Sequence, residues 1–200
     1  MVNTIDNQQI RSFIAIELPE EVRSALHRLQ AELTLPQYSF VKCVSPEGIH
    51  ITLKFLGNIS PQKVTEVTRV MEQASQGVSP FQLQITEVGA FPNMRQPRVL
   101  WVGIKGELDK LTAWQKRIDD GLVPLGFAKE ARPFTPHLTL ARVRENCSPG
   151  DRRGLGELVM KTPVEVDYKV TVNSLSLMKS QLSPGGAVYS RLAEVKLSDK

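Results

Sequence analysis

The 200-residue sequence predicts an α+β protein built from two similar lobes. Alternating apolar and polar stretches, typical of strands, are interspersed with stretches of helical periodicity. A tetrapeptide is also repeated: His50-Ile51-Thr52-Leu53 returns 87 residues later as His137-Leu138-Thr139-Leu140. Each copy is followed by Ser-Pro, a common start of a helix. We therefore expect one domain over residues 1–200, with one copy of the repeat in each lobe.

The first half predicts a strand, a helix, two strands, a helix and a strand. A polar tail over residues 1–9 precedes them. The first helix begins after Pro19, and Ser60-Pro61 begins the second, because apolar stripes follow both points. The first His-containing strand is expected to end at Gly57-Asn58. Strands are predicted over 11–18, 40–44, 49–55 and 81–88.

The second half repeats the alternation from near residue 90, where the two halves are predicted to meet. Its helices are expected after Gly106 and after Ser148-Pro149. Residues 164–178 predict one long strand or two, and Ser183-Pro184-Gly185-Gly186 predicts a hairpin turn before the last strand. The strands are predicted over 98–104, 137–143, 164–178 and 187–197.

Composition places the chain among ordinary globular proteins, with 41% hydrophobic and 23% charged residues. A net charge of +4 is compatible with an anionic ligand. Cys43 and Cys147 are the only cysteines, too few for a disulfide framework, which favours a reducing compartment. No apolar stretch has the length of a signal peptide core or a membrane span. We expect a soluble, cytoplasmic protein without membrane contact.

Alternation places His50, Thr52 and Lys54 on one face of their strand, with the apolar residues on the core face. A single histidine there is open to a structural interpretation, but the repeat makes that interpretation weaker. A metal site is disfavoured because no Cys, Asp or Glu stands at ligand spacing, and we expect no cofactor. Paired acid–base catalysis fits best, since one neutral imidazole can accept a proton while an imidazolium donates one.

Phosphodiester cleavage needs such a pair, together with donors for the phosphate oxygens. Thr52 and Thr139 lie two residues after the histidines and can supply hydroxyls. Arg142 follows the second copy, but strict alternation turns it away from His137 unless the strand ends or bulges. Most other basic residues nearby are expected to be surface charges: Lys54, Arg95, Arg98, Arg132, Arg144, Arg152 and Arg153.

The strings from His50 to Gly57 and from Arg132 to Arg142 resemble the 2H phosphoesterases. Within that superfamily they are similar to the bacterial and archaeal RNA 2′,3′-cyclic phosphodiesterases, also called 2′-5′ RNA ligases. The resemblance extends over nearly the whole chain, including Phe13-Ile14-Ala15-Ile16, Phe91-Pro92 and Arg98-Val99-Leu100-Trp101.

This resemblance implies a bilobal fold with pseudo-two-fold symmetry, two mainly antiparallel sheets flanked by helices, and a central cleft. It implies metal-free hydrolysis of RNA 2′,3′-cyclic phosphate ends to 2′-phosphomonoesters, with 2′-5′ ligation as the reverse reaction. His50 is then the proton donor to the leaving 3′ oxygen and His137 the proton acceptor that activates water. Thr52, Thr139 and Arg142 contact the phosphate. RNA ends such as those of tRNA fragments are the expected partner of a monomeric enzyme.

Two other functions stay open on the sequence. One is a phosphodiesterase acting on small cyclic nucleotides or 2′-5′ oligonucleotides. The other is an RNA-binding module without turnover, which gives no reason for two imidazoles on matched strands. Phe55, Phe134 and Trp101 are candidates to stack on a base, although core packing is the favoured role for each.

Overall fold

The computed structural model describes residues 9–162, 168–183 and 186–198, in which nine strands and four helices follow the predicted order. Three predicted features lie partly outside these ranges. They are the polar tail (residues 1–8), the start of the strand predicted over 164–178 with the residue before it (residues 163–167) and the hairpin turn (residues 184–185). Strands β1–β9 span Ile10–Glu17, Val41–Cys43, His50–Ile59, Phe81–Phe91, Val99–Gly106, His137–Val143, Lys169–Val172, Ser174–Ser183 and Gly186–Lys196. Helices α1–α4 span Glu20–Leu33, Pro61–Ser75, Leu108–Leu122 and Pro149–Lys161. The predicted α+β class is confirmed.

The strands form one curled antiparallel sheet with two similar halves. The order is β7-β4-β5-β6-β3-β1-β8-β9, and β2 pairs with β6 on the edge that faces β3. Two sheets were predicted, and they are the two halves of this sheet, which among the described residues are joined where Ile51 pairs with Leu138. We call β3-β1-β8-β9 the first half-sheet and β6-β5-β4-β7, with β2, the second. Because β3 and β6 share one residue pair, they diverge on both sides of it.

The predicted division of the chain near residue 90 does not separate the two half-sheets. Strand β4 ends at Phe91 but belongs to the second half-sheet, beside β5. Strands β8 and β9 come from the end of the chain and return to the first half-sheet. The physical reason is hydrogen bonding: β1 pairs with β3 on one edge, and β8 satisfies the backbone groups on its other edge.

The hydrophobic core lies on one face of the sheet, beneath the helices. The predicted stripe of α1 is buried at Val22, Leu26 and Leu33, and the corresponding residues of the other helices join the same core. Helices α2 and α4 both begin after Ser-Pro, as predicted, but only the second serine caps its helix. The Ser148 hydroxyl accepts from the Asp151 amide, and the Asp151 carboxylate accepts in return. None of the four helices in the described ranges has the length and hydropathy to cross a membrane.

Both His-containing strands carry a β-bulge at the last residue of the repeated tetrapeptide. In β3, Thr52 pairs with Ala15 and Lys54 with Ile14, so Leu53 is the extra residue. In β6, Thr139 pairs with Trp101 and Ala141 with Leu100, so Leu140 is extra. An extra residue reverses the alternation of side chains beyond it. The bulges therefore change which later residues face the cleft.

A buried glutamine from a helix donates to the carbonyl of each bulged residue. Gln30 of α1 donates to Leu140 O over 2.8 Å, and Gln115 of α3 donates to Leu53 O over 3.4 Å. The helix that lies shortly before the first motif in sequence, α1, thus contacts the bulge of the second motif, and α3, which lies shortly before the second motif, contacts the bulge of the first. The Leu140 carbonyl oxygen also accepts from the Val44 amide over 2.8 Å, so the glutamine adds a second hydrogen bond at that bulge.

The reversed alternation corrects two predictions for the first motif. Lys54 was placed on the face of His50, but it is buried on the core side, where it donates to Asp119 and to Ala128 O. Phe55 was assigned to the core, but 68% of it is exposed. Gly57-Asn58 does not end the strand: Gly57 adopts a φ of 70° and β3 continues to Ile59, paired with β1.

Candidate active site

A cavity of about 270 Å³ lies where β3 and β6 diverge, and the five predicted site residues all line it. They are His50, Thr52, His137, Thr139 and Arg142. The structure thus brings together two motifs that are 87 residues apart in sequence.

The register between the strands gives the site a two-fold arrangement. Because Ile51 pairs with Leu138 in an antiparallel ladder, His50 lies level with Thr139, and Thr52 lies level with His137. Each imidazole therefore stands across the cleft from the hydroxyl of the other motif. A phosphate group between the strands can meet one imidazole and one hydroxyl from either side.

His50 is held between aromatic rings. Its ring stacks on Phe13, with centroids 4.5 Å apart, and meets the edge of Tyr189 at 5.3 Å. Burial among these rings lowers the pKa of His50 from 6.5 to about 4, although a hydrogen bond to the Gly48 backbone and the charge of Glu17 raise it. His50 is therefore neutral at pH 7.

This lowered pKa predicts a loss of stability in mild acid. The unfolded chain takes up a proton on His50 below about pH 6.5, whereas the folded chain resists protonation until about pH 4. The free energy of unfolding should fall as the pH drops between these values, by about 3 kcal/mol in total from this group. Urea titrations at pH 7, 5.5 and 4 measure the free energy of unfolding at each pH. The fall should be smaller by that amount in His50→Gln, and equal falls in both proteins would contradict the assignment.

His137 is oriented by a hydrogen bond at Nδ1, across the ring from Nε2. Its Nδ1 lies 2.8 Å from the Thr135 carbonyl oxygen, which can only accept, so Nδ1 carries the proton. In the neutral imidazole, Nε2 then has a free lone pair. Phe91 and Trp101 meet the ring at centroid distances of 5.1 and 6.5 Å. The fixed tautomer makes His137 suited to accept a proton at Nε2.

The bulge at Leu140 explains why Arg142 faces the cavity although strict alternation would turn it away from His137. Beyond it Ala141 is buried, and Arg142 is exposed and lines the cavity. Arg152 instead binds the carbonyl oxygens of Pro97, Arg144 and Glu145, so its role is structural. Other arginines predicted as surface charges also lie outside the cavity lining, namely Arg95, Arg98, Arg132, Arg144 and Arg153.

Sequence reasoning missed several residues of the cavity wall. Phe13 was placed in the first strand and Tyr189 in the last strand, without a role at the site, yet both enclose His50. Ser12 is 2% exposed, and its hydroxyl has no hydrogen-bond partner among the residues that the structure describes. Trp101 was predicted to pack in the core. It is instead half-buried, and its ring packs on Phe91 beside His137. Alternation in the sequence could not find these residues, because they reach the cleft only through the pairing of distant strands. Phe55, which the sequence named as a candidate to stack on a base, also lines the cavity, and the remaining unpredicted lining residues are Arg11, Val44, Gly48, Gly57 and Ser180.

Within residues 9–162, 168–183 and 186–198, no three His, Cys, Asp or Glu side chains converge on a position suited to a metal ion. The predicted residues that face the cavity supply instead two imidazoles, two threonine hydroxyls and the Arg142 guanidinium group, and Arg11, Ser12, Ser180 and Tyr189 also line it. These are proton carriers and hydrogen-bond donors, which suit an anion whose charge changes during a reaction.

A family model described as LigT-like phosphoesterase matches the chain twice, over residues 16–101 and 102–189. The chain belongs to this family. Each match contains one copy of the repeated tetrapeptide, so the predicted duplication coincides with two units of the family. The observed phosphoesterase family agrees with the resemblance inferred from the motifs.

Curated relatives and solved structures match this LigT-like phosphoesterase over almost its whole length. An RNA 2′,3′-cyclic phosphodiesterase of Methanothermobacter thermautotrophicus is 34% identical, over 94% of this chain and 100% of the relative. The protein of that name from Archaeoglobus fulgidus is 32% identical, over 92% of this chain and 98% of the relative. A crystal structure from Thermus thermophilus has a TM-score of 0.77 at 28% identity, covering 94% and 98%. Escherichia coli LigT, solved with NADP+, has a TM-score of 0.76 at 25% identity, covering 96% and 100%.

Proposed function

We propose that this LigT-like phosphoesterase hydrolyses RNA 2′,3′-cyclic phosphate ends to 2′-phosphomonoesters without a metal ion. The observation that carries the proposal is the convergence of both His-x-Thr motifs and Arg142 on one cavity. Relatives that align over nearly the whole chain bear the name RNA 2′,3′-cyclic phosphodiesterase, which supports the choice of substrate.

In the proposed reaction, His137 Nε2 takes a proton from water, which attacks the phosphorus atom. The bond between phosphorus and the 3′ oxygen breaks, and His50 gives its proton to that oxygen. The products are a 2′-phosphomonoester and a 3′-hydroxyl group, so one water molecule is consumed and the two imidazoles exchange their protonation states. Such positioned proton transfers accelerate a reaction by roughly 10²- to 10⁴-fold each.

An imidazole that becomes neutral on donating its proton must start as an imidazolium, whereas burial holds the pKa of His50 at about 4. The cyclic phosphate is an anion. A unit charge at about 4 Å interacts with an imidazolium by about 4 kcal/mol at an effective dielectric constant near 20. That is enough to return the pKa of His50 to the neutral range. Binding of the substrate therefore favours the protonated, positively charged form of His50.

The other lining residues are assigned to binding the substrate. Thr52 and Thr139 donate to the non-bridging phosphate oxygens, and Arg142 contributes positive charge beside them. Phe55 presents an exposed ring at the far end of the cavity, where a terminal base can stack on it. A 5′-hydroxyl group in place of water would give a 2′-5′ linkage by the same step.

The test is product analysis on an oligoribonucleotide ending in a 2′,3′-cyclic phosphate, in the presence of EDTA. We expect complete conversion to a 2′-phosphate end, identified by ³¹P NMR and by mass. A 3′-phosphate product, or activity that EDTA abolishes and a divalent metal restores, would contradict the proposal. A parallel reaction with a 5′-hydroxyl oligonucleotide tests ligation, and digestion that spares 2′-5′ bonds identifies the linkage.

A further inference from the structure

Lys42 stands beside Arg142 on the face of the sheet that forms the cleft. The two residues are direct partners in the antiparallel pairing of β2 and β6, and both are exposed. The next pair, Val41 and Val143, points to the core. Val44, two residues after Lys42 and just beyond the end of β2, lines the cavity. Lys42 is therefore one step outside the cavity, next to Arg142.

Two like charges placed directly across a strand pair repel each other. No ion pair offsets this repulsion in the described ranges, because neither Lys42 nor Arg142 takes part in any of the salt bridges found there. An anion lying over both side chains would remove the repulsion and gain contacts with both. This arrangement suits a phosphate group.

The strand directions place this cation pair at one end of the cavity and Phe55 at the other. Along β3, the order from the β2 side is His50, Thr52 and Phe55, while Arg142 lies beyond Thr139 on β6. In a ribose 2′,3′-cyclic phosphate, C2′ is bonded to C1′, which carries the base, and C3′ to C4′, which carries the chain. If the base stacks on Phe55, the chain leaves toward Arg142.

We propose that Lys42, beside Arg142, binds the phosphodiester group that joins the terminal nucleotide to the rest of the RNA. This inference rests on the proposed function and adds the direction of the chain in the cleft. It also gives a geometric reason for the division of labour between the histidines. The 3′ oxygen lies on the chain side of the ribose, and His50 is the imidazole nearer to that end. Lys42 thus distinguishes an RNA end from a mononucleotide.

The test compares Lys42→Met with the unchanged protein on three substrates. These are adenosine 2′,3′-cyclic phosphate, the dinucleotide that carries one more 5′ adenosine, and the same dinucleotide with an uncharged methylphosphonate linkage. We expect kcat/KM for the charged dinucleotide to fall about five- to tenfold at low ionic strength, chiefly through KM. The other two substrates should be hydrolysed as before. The slope of log kcat/KM against log salt should decrease by about one for the charged dinucleotide alone.

Lys116→Met is the matched control, because Lys116 is an exposed lysine on α3, on the helical face of the sheet. It should leave all three rates unchanged. An equal loss on all three substrates, or no loss on the charged dinucleotide, would overturn the role of Lys42 while leaving the proposed function intact. If the unchanged protein hydrolyses none of the three substrates, the proposed function itself fails.

Discussion

Replacement of His50 or His137 by glutamine is expected to lower turnover of a 2′,3′-cyclic phosphate by about 10²- to 10⁴-fold. Glutamine keeps hydrogen-bonding capacity and approximate size but cannot carry a proton between water, phosphate and the leaving oxygen. The double variant should be little slower than the slower single variant, because the two residues act on one transition state. Initial rates with adenosine 2′,3′-cyclic phosphate, at saturating and at limiting substrate, measure both effects.

His27 is the natural control, since it is the third histidine of the chain and lies exposed on α1. His27→Gln should retain full activity. Activity that survives in both active-site variants would show that the imidazoles do not perform the chemistry. Binding of uncleaved RNA that is unaffected by both substitutions, with no turnover in any variant, would instead indicate an RNA-binding module.

The pH profile gives a second view of the same pair. Rates should be bell-shaped, because one imidazole must be protonated and the other neutral. The profile of kcat/KM reports the free protein, where burial lowers the pKa of His50 to about 4. The profile of kcat reports the complex, in which phosphate raises that pKa. We therefore expect one apparent pKa to be higher in the kcat profile, and coincident profiles would count against charging of His50 by the substrate.

Replacement of Asp119 by asparagine is expected to cost about 3 to 5 kcal/mol of folding stability. Lys54 Nζ is buried between the Asp119 carboxylate and the Ala128 carbonyl oxygen, with side-chain exposures of 6% and 13% for the two charged residues. The other carboxylate oxygen accepts from the Glu130 amide. Removing the negative charge leaves an ammonium group buried without its partner. Equilibrium unfolding in urea at pH 7 measures the change.

The double variant Lys54→Met with Asp119→Asn should recover most of the lost stability, because no unpaired charge is then buried. Asp120→Asn is the control next in sequence. Asp120 pairs with Lys129 on the surface, with exposures of 45% and 63%, and its replacement should change stability little. Equal effects of the two asparagine substitutions would show that burial of the Lys54 pair is not what matters.

The sequence by itself determined the order of the elements and identified the residues that are proposed for the site. Apolar periodicity is a local property, so it located the four helices and most strands without knowledge of their partners. The repeated His-x-Thr pattern identified two matched strands, because chance rarely produces such a repeat. The expected resemblance to a phosphoesterase family followed from the same residues and is confirmed by the family match.

The tertiary structure alone decided which side chains beyond each motif enter the cleft. Sequence alternation assigned Lys54 to the cleft and Phe55 to the core, and it left Arg142 undecided. The bulges at Leu53 and Leu140 reversed this pattern, and buried glutamines from α3 and α1 satisfy their carbonyl groups. A bulge depends on the pairing of distant strands and on a donor from another element, neither of which a local pattern contains. The aromatic enclosure that lowers the pKa of His50 has the same origin, since Phe13 and Tyr189 come from opposite ends of the chain.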